Sequence, residues 1–208
     1  MLKENISEIV EGLLKLQKKY SSTPRSIVTY DRNKNIIESG LLKEYNYDSE
    51  IIREPLIEHV GHLPIIASYL HQFIEHKNKV DLGKSLIILS VHDIGETEVG
   101  DMITYSKTKS HEKAEEKAAF KILPDYLYKY FIEYDEAKTI DAKFAKSVDS
   151  LAPLLHELTL PKITAERFKY HNFSVDKIVV KKKVYFKWDN VLSKIFDYVT
   201  DELRKIEK

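Results

Sequence analysis

The sequence predicts an all-α protein built as one domain. Three observations point there. Glycine and proline are scarce, six of each in 208 residues. Apolar residues recur at spacings of three and four along most of the chain, the period of a helix with one buried face. No internal repeat and no linker divides the chain. This length can bury a sizeable core, and a hydrophobic fraction of 43% argues against a disordered chain.

The first element is an amphipathic helix through Ile6, Ile9, Val10, Leu13, Leu14 and Leu16. It should stop before Pro24, which disfavours helix in the residue preceding it. Residues 24–53 show no helical stripe and read as a loop or lid, with a short extended piece at SIVTY and a turn at DRNKN. Helix resumes near Pro55, with Leu63, Ile66, Ala67, Leu70 and Phe73 or Ile74 on one face. After a break from Asn78 to Gly83, Leu82, Leu86, Leu89 and Asp93 form the next stripe. Residues 110–122 read as a charged surface helix with Ser110 as its N-cap. Pro124 and Asp125 open another helix through Leu127, Tyr130 and Phe131. Residues 136–157 carry Ala142, Ala145, Asp149 and Ala152 on one side. The segment 173–188 permits a small hairpin or a helix, and a last helix spans about 189–206. Residues 160–208 form a C-terminal helical part, a possible small extension of the domain.

Charge and composition narrow the function. Lys plus Arg and Asp plus Glu are 33 each, so no excess of basic residues marks a nucleic-acid or anionic-membrane surface. Cysteine is absent, which excludes a disulfide framework, a zinc–thiolate site, an iron–sulfur cluster and a Cys nucleophile. The opening MLKENISEIVEGLLKLQ places charges among its apolar residues, so it is neither a secretory nor a membrane-spanning segment. A cytoplasmic protein with no nucleic-acid and no membrane partner is expected. Trp188 and the Tyr-rich stretches are compatible with a homodimer.

Four polar residues fall on apolar faces. His59 precedes Leu63 by four residues; His92 and Asp93 follow the apolar run SLIILSV; Asp149 lies among alanines. A buried carboxylate costs several kcal/mol unless it is paired or binds a cation. Two imidazoles and two carboxylates in one core can satisfy each other around a divalent ion, and such donors suit Mn, Fe, Co, Ni, Zn or Mg. On a six-coordinate ion two positions would remain for water and substrate. Taken singly, each has a plain structural reading: a satisfied core histidine, a chance His-Asp pair, a helix-packing aspartate. Glu96 follows His92 by four residues and projects beside it on the same helix face. It is placed either to receive a proton from a metal-bound water or to make an exposed salt bridge. Gly100 should end the helix, with Asp101 starting the loop. Lys143 and Lys181–Lys183 read as solvated, as do His71 and His76, while His62 and His111 are the spare histidines nearest the site residues in sequence.

The segments IEH (57–59), LSVHDIGETEVGD (89–101), SHEKAEEKAAFKILP (110–124) and DAKFAKSVDSL (141–151) together resemble the HD-domain metal-dependent phosphohydrolases. Within that group, HD followed by G-E-x-x-V-G-D is similar to the small 5′-deoxynucleotidase-like branch. The resemblance implies an HD-type helical fold and a divalent metal held by His59, His92, Asp93 and Asp149. It implies that Glu96 serves the nucleophilic water, that Asp101 holds a sugar, and that Arg25, in TPRSIVTY, grips phosphate. The implied substrate is a small phosphate ester, a nucleoside 5′-monophosphate above all. Two features depart from the branch: the longer link from Arg25 to His59, and His59-Val60-Gly61-His62 where an aromatic residue is expected. They leave open a hydrolase of nucleoside polyphosphates, or an altered domain that binds a nucleotide or protein without turnover.

Overall fold

The computed structural model describes residues 24–31, 51–102, 107–159, 161, 164, 165, 168, 169 and 172–207. The helix expected before Pro24 lies outside them. The expected loop begins and ends instead in an antiparallel ribbon, β1 (Pro24–Asp31) with β2 (Ile51–Pro55), in which Pro24 pairs with Pro55. Thus SIVTY is extended, as its β-branched residues favour. β2 runs directly into α1 (Leu56–His71).

Helices make up the rest of the described architecture: α2 (Leu82–Val91), the short α3 (Glu96–Val99), α4 (Lys109–Ile122), α5 (Asp125–Glu136), α6 (Ile140–Thr159), α7 (Val175–Lys182) and α8 (Asn190–Glu207). The class is all-α, as expected. The three helices α1, α2 and α6 pack on one another, with α5 against α2 and α8 against α6. Their shared core contains Leu63, Ala67, Leu89, Phe144, Val148 and Phe196. A smaller cluster of Val91, Ile94, Ala119, Leu123 and Phe131 seats α4 and α5 beside the end of α2. No helix among the described residues is long and apolar enough to cross a membrane.

Helix starts are set by side-chain caps that satisfy the first free N–H groups. The Asp81 carboxylate accepts from the Lys84 N–H at 3.0 Å to open α2, and the Ser174 hydroxyl accepts from the Lys177 N–H to open α7. For α4 the cap is Thr108, not Ser110. His111 completes this capping box, so its ring is spent on the helix end. At α8, Asp189 is buried. One carboxylate oxygen accepts from the Val191 and Leu192 N–H groups, and the other takes His76 through its N–H and Nδ1.

His76 is therefore a structural partner rather than a solvated residue, and so is His71, whose Nε2 lies 3.3 Å from the Val80 carbonyl oxygen. Trp188 lies half-buried on the main core and donates to Ser147 Oγ at 2.9 Å. The ambiguous segment is helical: α7 and a 3-10 turn at Lys183–Phe186. Val175, Ile178 and Phe186 drive into the core, with Phe186 stacked on Phe196, and that burial overrides the strand preference of the β-branched residues.

Between α2 and α3 the chain tightens. The N–H groups of Ile94, Glu96, Thr97 and Glu98 each bond to the carbonyl three residues earlier, which makes this a 3-10 passage rather than continued α-helix. Gly95 sits inside it against the backbone of α4; an added Cβ would come within 2.4 Å of the Glu115 carbonyl oxygen. Gly100 then takes a positive φ of 84° and ends the passage.

Gly95→Ala should therefore lower stability by about 2 kcal/mol through overpacking, a fall of about 4–8 °C in Tm for a chain of this size. Gly61→Ala is the contrast: nothing lies within 4 Å of its added Cβ, and an exposed helical Gly replaced by Ala gains about 0.5–1 kcal/mol. Thermal unfolding of both variants checks the pair.

Candidate metal centre

Three core helices deliver the inward polar residues to one point. His59 comes from the first turn of α1, His92 and Asp93 from the end of α2, and Asp149 from the middle of α6. His59 Nε2 lies 3.1 Å from Asp149 Oδ1 and 3.6 Å from Asp93 Oδ2. His92 Nε2 lies 3.1 Å from Asp93 Oδ2 and 3.4 Å from Asp149 Oδ1.

The state of His92 shows what this cluster needs. Its Nδ1 is 2.7 Å from the Leu89 carbonyl oxygen and donates to it. In the neutral ring that leaves a lone pair on Nε2. Nε2 is buried, makes no hydrogen bond, and faces two carboxylate oxygens. A lone pair aimed at two anions is repulsive, so the arrangement demands a positive charge there. Burial opposes a charge on His92, but Asp93 and Asp149 outweigh it and raise its pKa to about 10. Burial likewise works against ionising Asp93, yet His92 holds its carboxyl down to about 2; Asp149 lies well below the usual range for the same reason.

A divalent cation meets the same need. An ion bonded at about 2.1 Å to nitrogen and oxygen donors spaces adjacent donors about 3 Å apart in an octahedral array. The N–O separations of 3.1–3.6 Å are close to that. The residues present fit a divalent ion.

Around this point opens a cavity of about 220 Å³, lined by His92, Asp93 and Asp149 and also by Glu96 and Asp101. Sequence spacing placed Glu96 on a helix face beside His92; the 3-10 passage instead carries it into the cavity wall, where it is buried. Arg25 lies on β1, next to the Pro24–Pro55 pair and so, by backbone register, near the start of α1; its side chain is outside the described set. His62 and Lys143 are exposed.

Several wall residues gave no sequence signal of their own. Lys107 Nζ bonds Glu115 at 2.7 Å and Glu96 at 3.2 Å, so the helix read as a charged surface element buries an acid from its middle. Burial raises the Glu115 pKa against the opposing pull of Lys107. Tyr134 on α5 donates its hydroxyl to Asp149 Oδ2 at 2.6 Å and sets its ring 4.8 Å from that of His92. Burial and the Asp149 charge hold its pKa well above the usual tyrosine value, so it remains a donor. Lys146, one turn before Asp149, lies over the Tyr134 ring, and burial lowers its pKa. Lys181 and Lys182 line the same cavity rather than a solvated turn. The motif HD-x-G-E flags Glu96, the partner of Lys107, but none of these residues; they are brought in by helix packing.

Comparison with known proteins identifies the family and the fold. Residues 44–186 match the family model described as HD domain. No curated protein matches the chain. Among solved structures, the chain is similar to a predicted metal-dependent phosphohydrolase from Magnetospirillum magnetotacticum MS-1. Identity is 22% over 97% of this chain and 96% of that one, with a TM-score of 0.72. A Pyrococcus horikoshii OT3 protein follows at 20% identity, 95% and 99% coverage and a TM-score of 0.61. A conserved hypothetical protein of Pyrococcus furiosus follows at 23% identity, 92% and 99% coverage and a TM-score of 0.57.

Lys107→Met leaves Glu96 and Glu115 without their shared cation. Chemical denaturation should show a loss of about 3 kcal/mol, the cost of stripping one partner from a buried ion pair. Combining it with Glu115→Gln should recover part of that loss.

Proposed function

The chain belongs to the HD domain family, and from that premise we propose that it is a metal-dependent phosphohydrolase whose substrate is a nucleoside 5′-monophosphate. The observation that carries the reading is the buried His92 Nε2 facing two carboxylates. The similarity to the Magnetospirillum protein, a predicted metal-dependent phosphohydrolase, supports it.

His59, His92, Asp93 and Asp149 would hold the ion. Such an ion, when bound, supplies Lewis acidity toward a phosphoryl oxygen and lowers the pKa of a water. The protein supplies the rest. The His92 Nδ1–H bond to Leu89 fixes the ring so that Nε2 points at the centre, and Tyr134 orients Asp149 from its outer oxygen; partners of this kind set ligand direction and basicity. Glu96 is the proton acceptor for the attacking water. Lys107 holds it through Oε1, so that the carboxylate stays in the cavity wall rather than swinging to solvent. Asp101, at the cavity edge, takes a sugar hydroxyl, and Arg25 balances charge on the phosphate.

Purified protein should contain about one divalent ion per chain and release inorganic phosphate from nucleoside monophosphates. His59→Ala and Asp149→Ala should lose both the ion and the activity. Tyr134→Phe should fold and keep the site but bind the ion about 10- to 100-fold more weakly. Pyrophosphate or triphosphate as product would move the substrate to nucleoside polyphosphates. Bound metal with no turnover on any phosphate ester would contradict the hydrolase reading.

A further inference from the structure

The cavity's lysines are not equivalent. Lys107 is compensated twice, by Glu96 and Glu115. Lys146 is different. Its Nζ lies 4.2 Å from the centroid of the Tyr134 ring and 5.7 Å from that of Tyr185. Among the described residues it makes no ion pair and no hydrogen bond. Its helix position, three before Asp149, sets both side chains on the same face of α6, with Cβ atoms about 5–6 Å apart. Both line the cavity.

The charge balance then identifies what is missing. A divalent ion between Asp93 and Asp149 neutralises those carboxylates. Asp149 then offsets Lys146 less; Asp135 still acts on it across the cavity, but no carboxylate among the described residues pairs with it directly, and a half-buried ammonium remains against two aromatic faces. A cation in that position is costly unless an anion shares the space.

We propose that Lys146 is a phosphate-binding residue of this site, its ammonium taking an oxygen of the substrate's phosphate group while the phosphate lies toward Asp149. The inference rests on the phosphohydrolase reading and adds to it the residue that recognises the group to be cleaved. The two tyrosine rings hold the ammonium by cation–π attraction until the anion arrives. The bond that then forms is a charge-assisted one.

Titration of inorganic phosphate into Mn²⁺-loaded full-length protein by calorimetry tests this separately from catalysis. The proteins compared are wild type, Lys146→Met, Lys146→Arg and Lys143→Met, the last removing an exposed lysine from the same helix. Lys146→Met should weaken phosphate binding about tenfold or more, with bound Mn²⁺ and Tm unchanged. Lys146→Arg should recover most of the affinity, and Lys143→Met should stay within about twofold of wild type. If wild type binds phosphate and Lys146→Met binds it equally well, the role of Lys146 is overturned while the phosphohydrolase reading stands. Loss of Mn²⁺ along with phosphate in Lys146→Met, or an equal loss in Lys143→Met, also overturns it. Failure of the wild type to bind phosphate at all overturns the reading and this inference together.

Discussion

Two ionised carboxylates and two imidazoles meet where three core helices converge, and the rest of the structure is arranged around the positive charge they require. Asp93 and Asp149 face buried nitrogen atoms whose protons are not free to be placed anywhere, because the Leu89 carbonyl has already claimed Nδ1 of His92. Either Nε2 takes a proton or a cation enters. The first solution is what burial and charge enforce on the bare protein, with His92 raised to about 10. The second uses the same four side chains as ligands. The site is thus built by packing that tolerates two acids in the interior because both outcomes satisfy them.

Successive layers of polar contacts fix this core. Tyr134 ties Asp149 to α5, and Lys84 joins α2 to Glu133 on α5 and to Asp141 at the start of α6. Lys107 fastens α4 to the 3-10 passage through Glu115 and Glu96. Gly95 permits that approach, since any side chain there would meet the α4 backbone. The short run from His92 to Glu96 is therefore constrained twice: its ligands must face the centre, and its glycine must face α4. The i→i−3 bonding of this passage lets both happen over a short stretch.

The helical class and most element positions were legible because the apolar period of three and four survives in α1, α2, α6 and α8. So were the four inward residues, which stand out as polar positions on apolar faces. The less visible parts have physical reasons. Lys107, Glu115, Tyr134 and Lys146 sit in segments whose local sequence looks solvated, and only the meeting of α4, α5 and α6 brings them into one cavity. Strand-favouring residues left 173–188 open between a hairpin and a helix, and burial of Val175, Ile178 and Phe186 decides for helix. The ribbon of β1 and β2 hid in a segment with only one short extended signal, since its pairing joins residues far apart in sequence.

Crystals of the protein grown with Mn²⁺, and diffraction data collected across the manganese absorption edge, test the central claim most directly. The account predicts one anomalous peak, bonded at about 2.1–2.2 Å to His59 Nε2, His92 Nε2 and one oxygen each of Asp93 and Asp149. No peak there at saturating Mn²⁺, with His92 protonated at both nitrogens and hydrogen-bonded to Asp93, would show that the cluster is satisfied by a proton alone and would contradict the account.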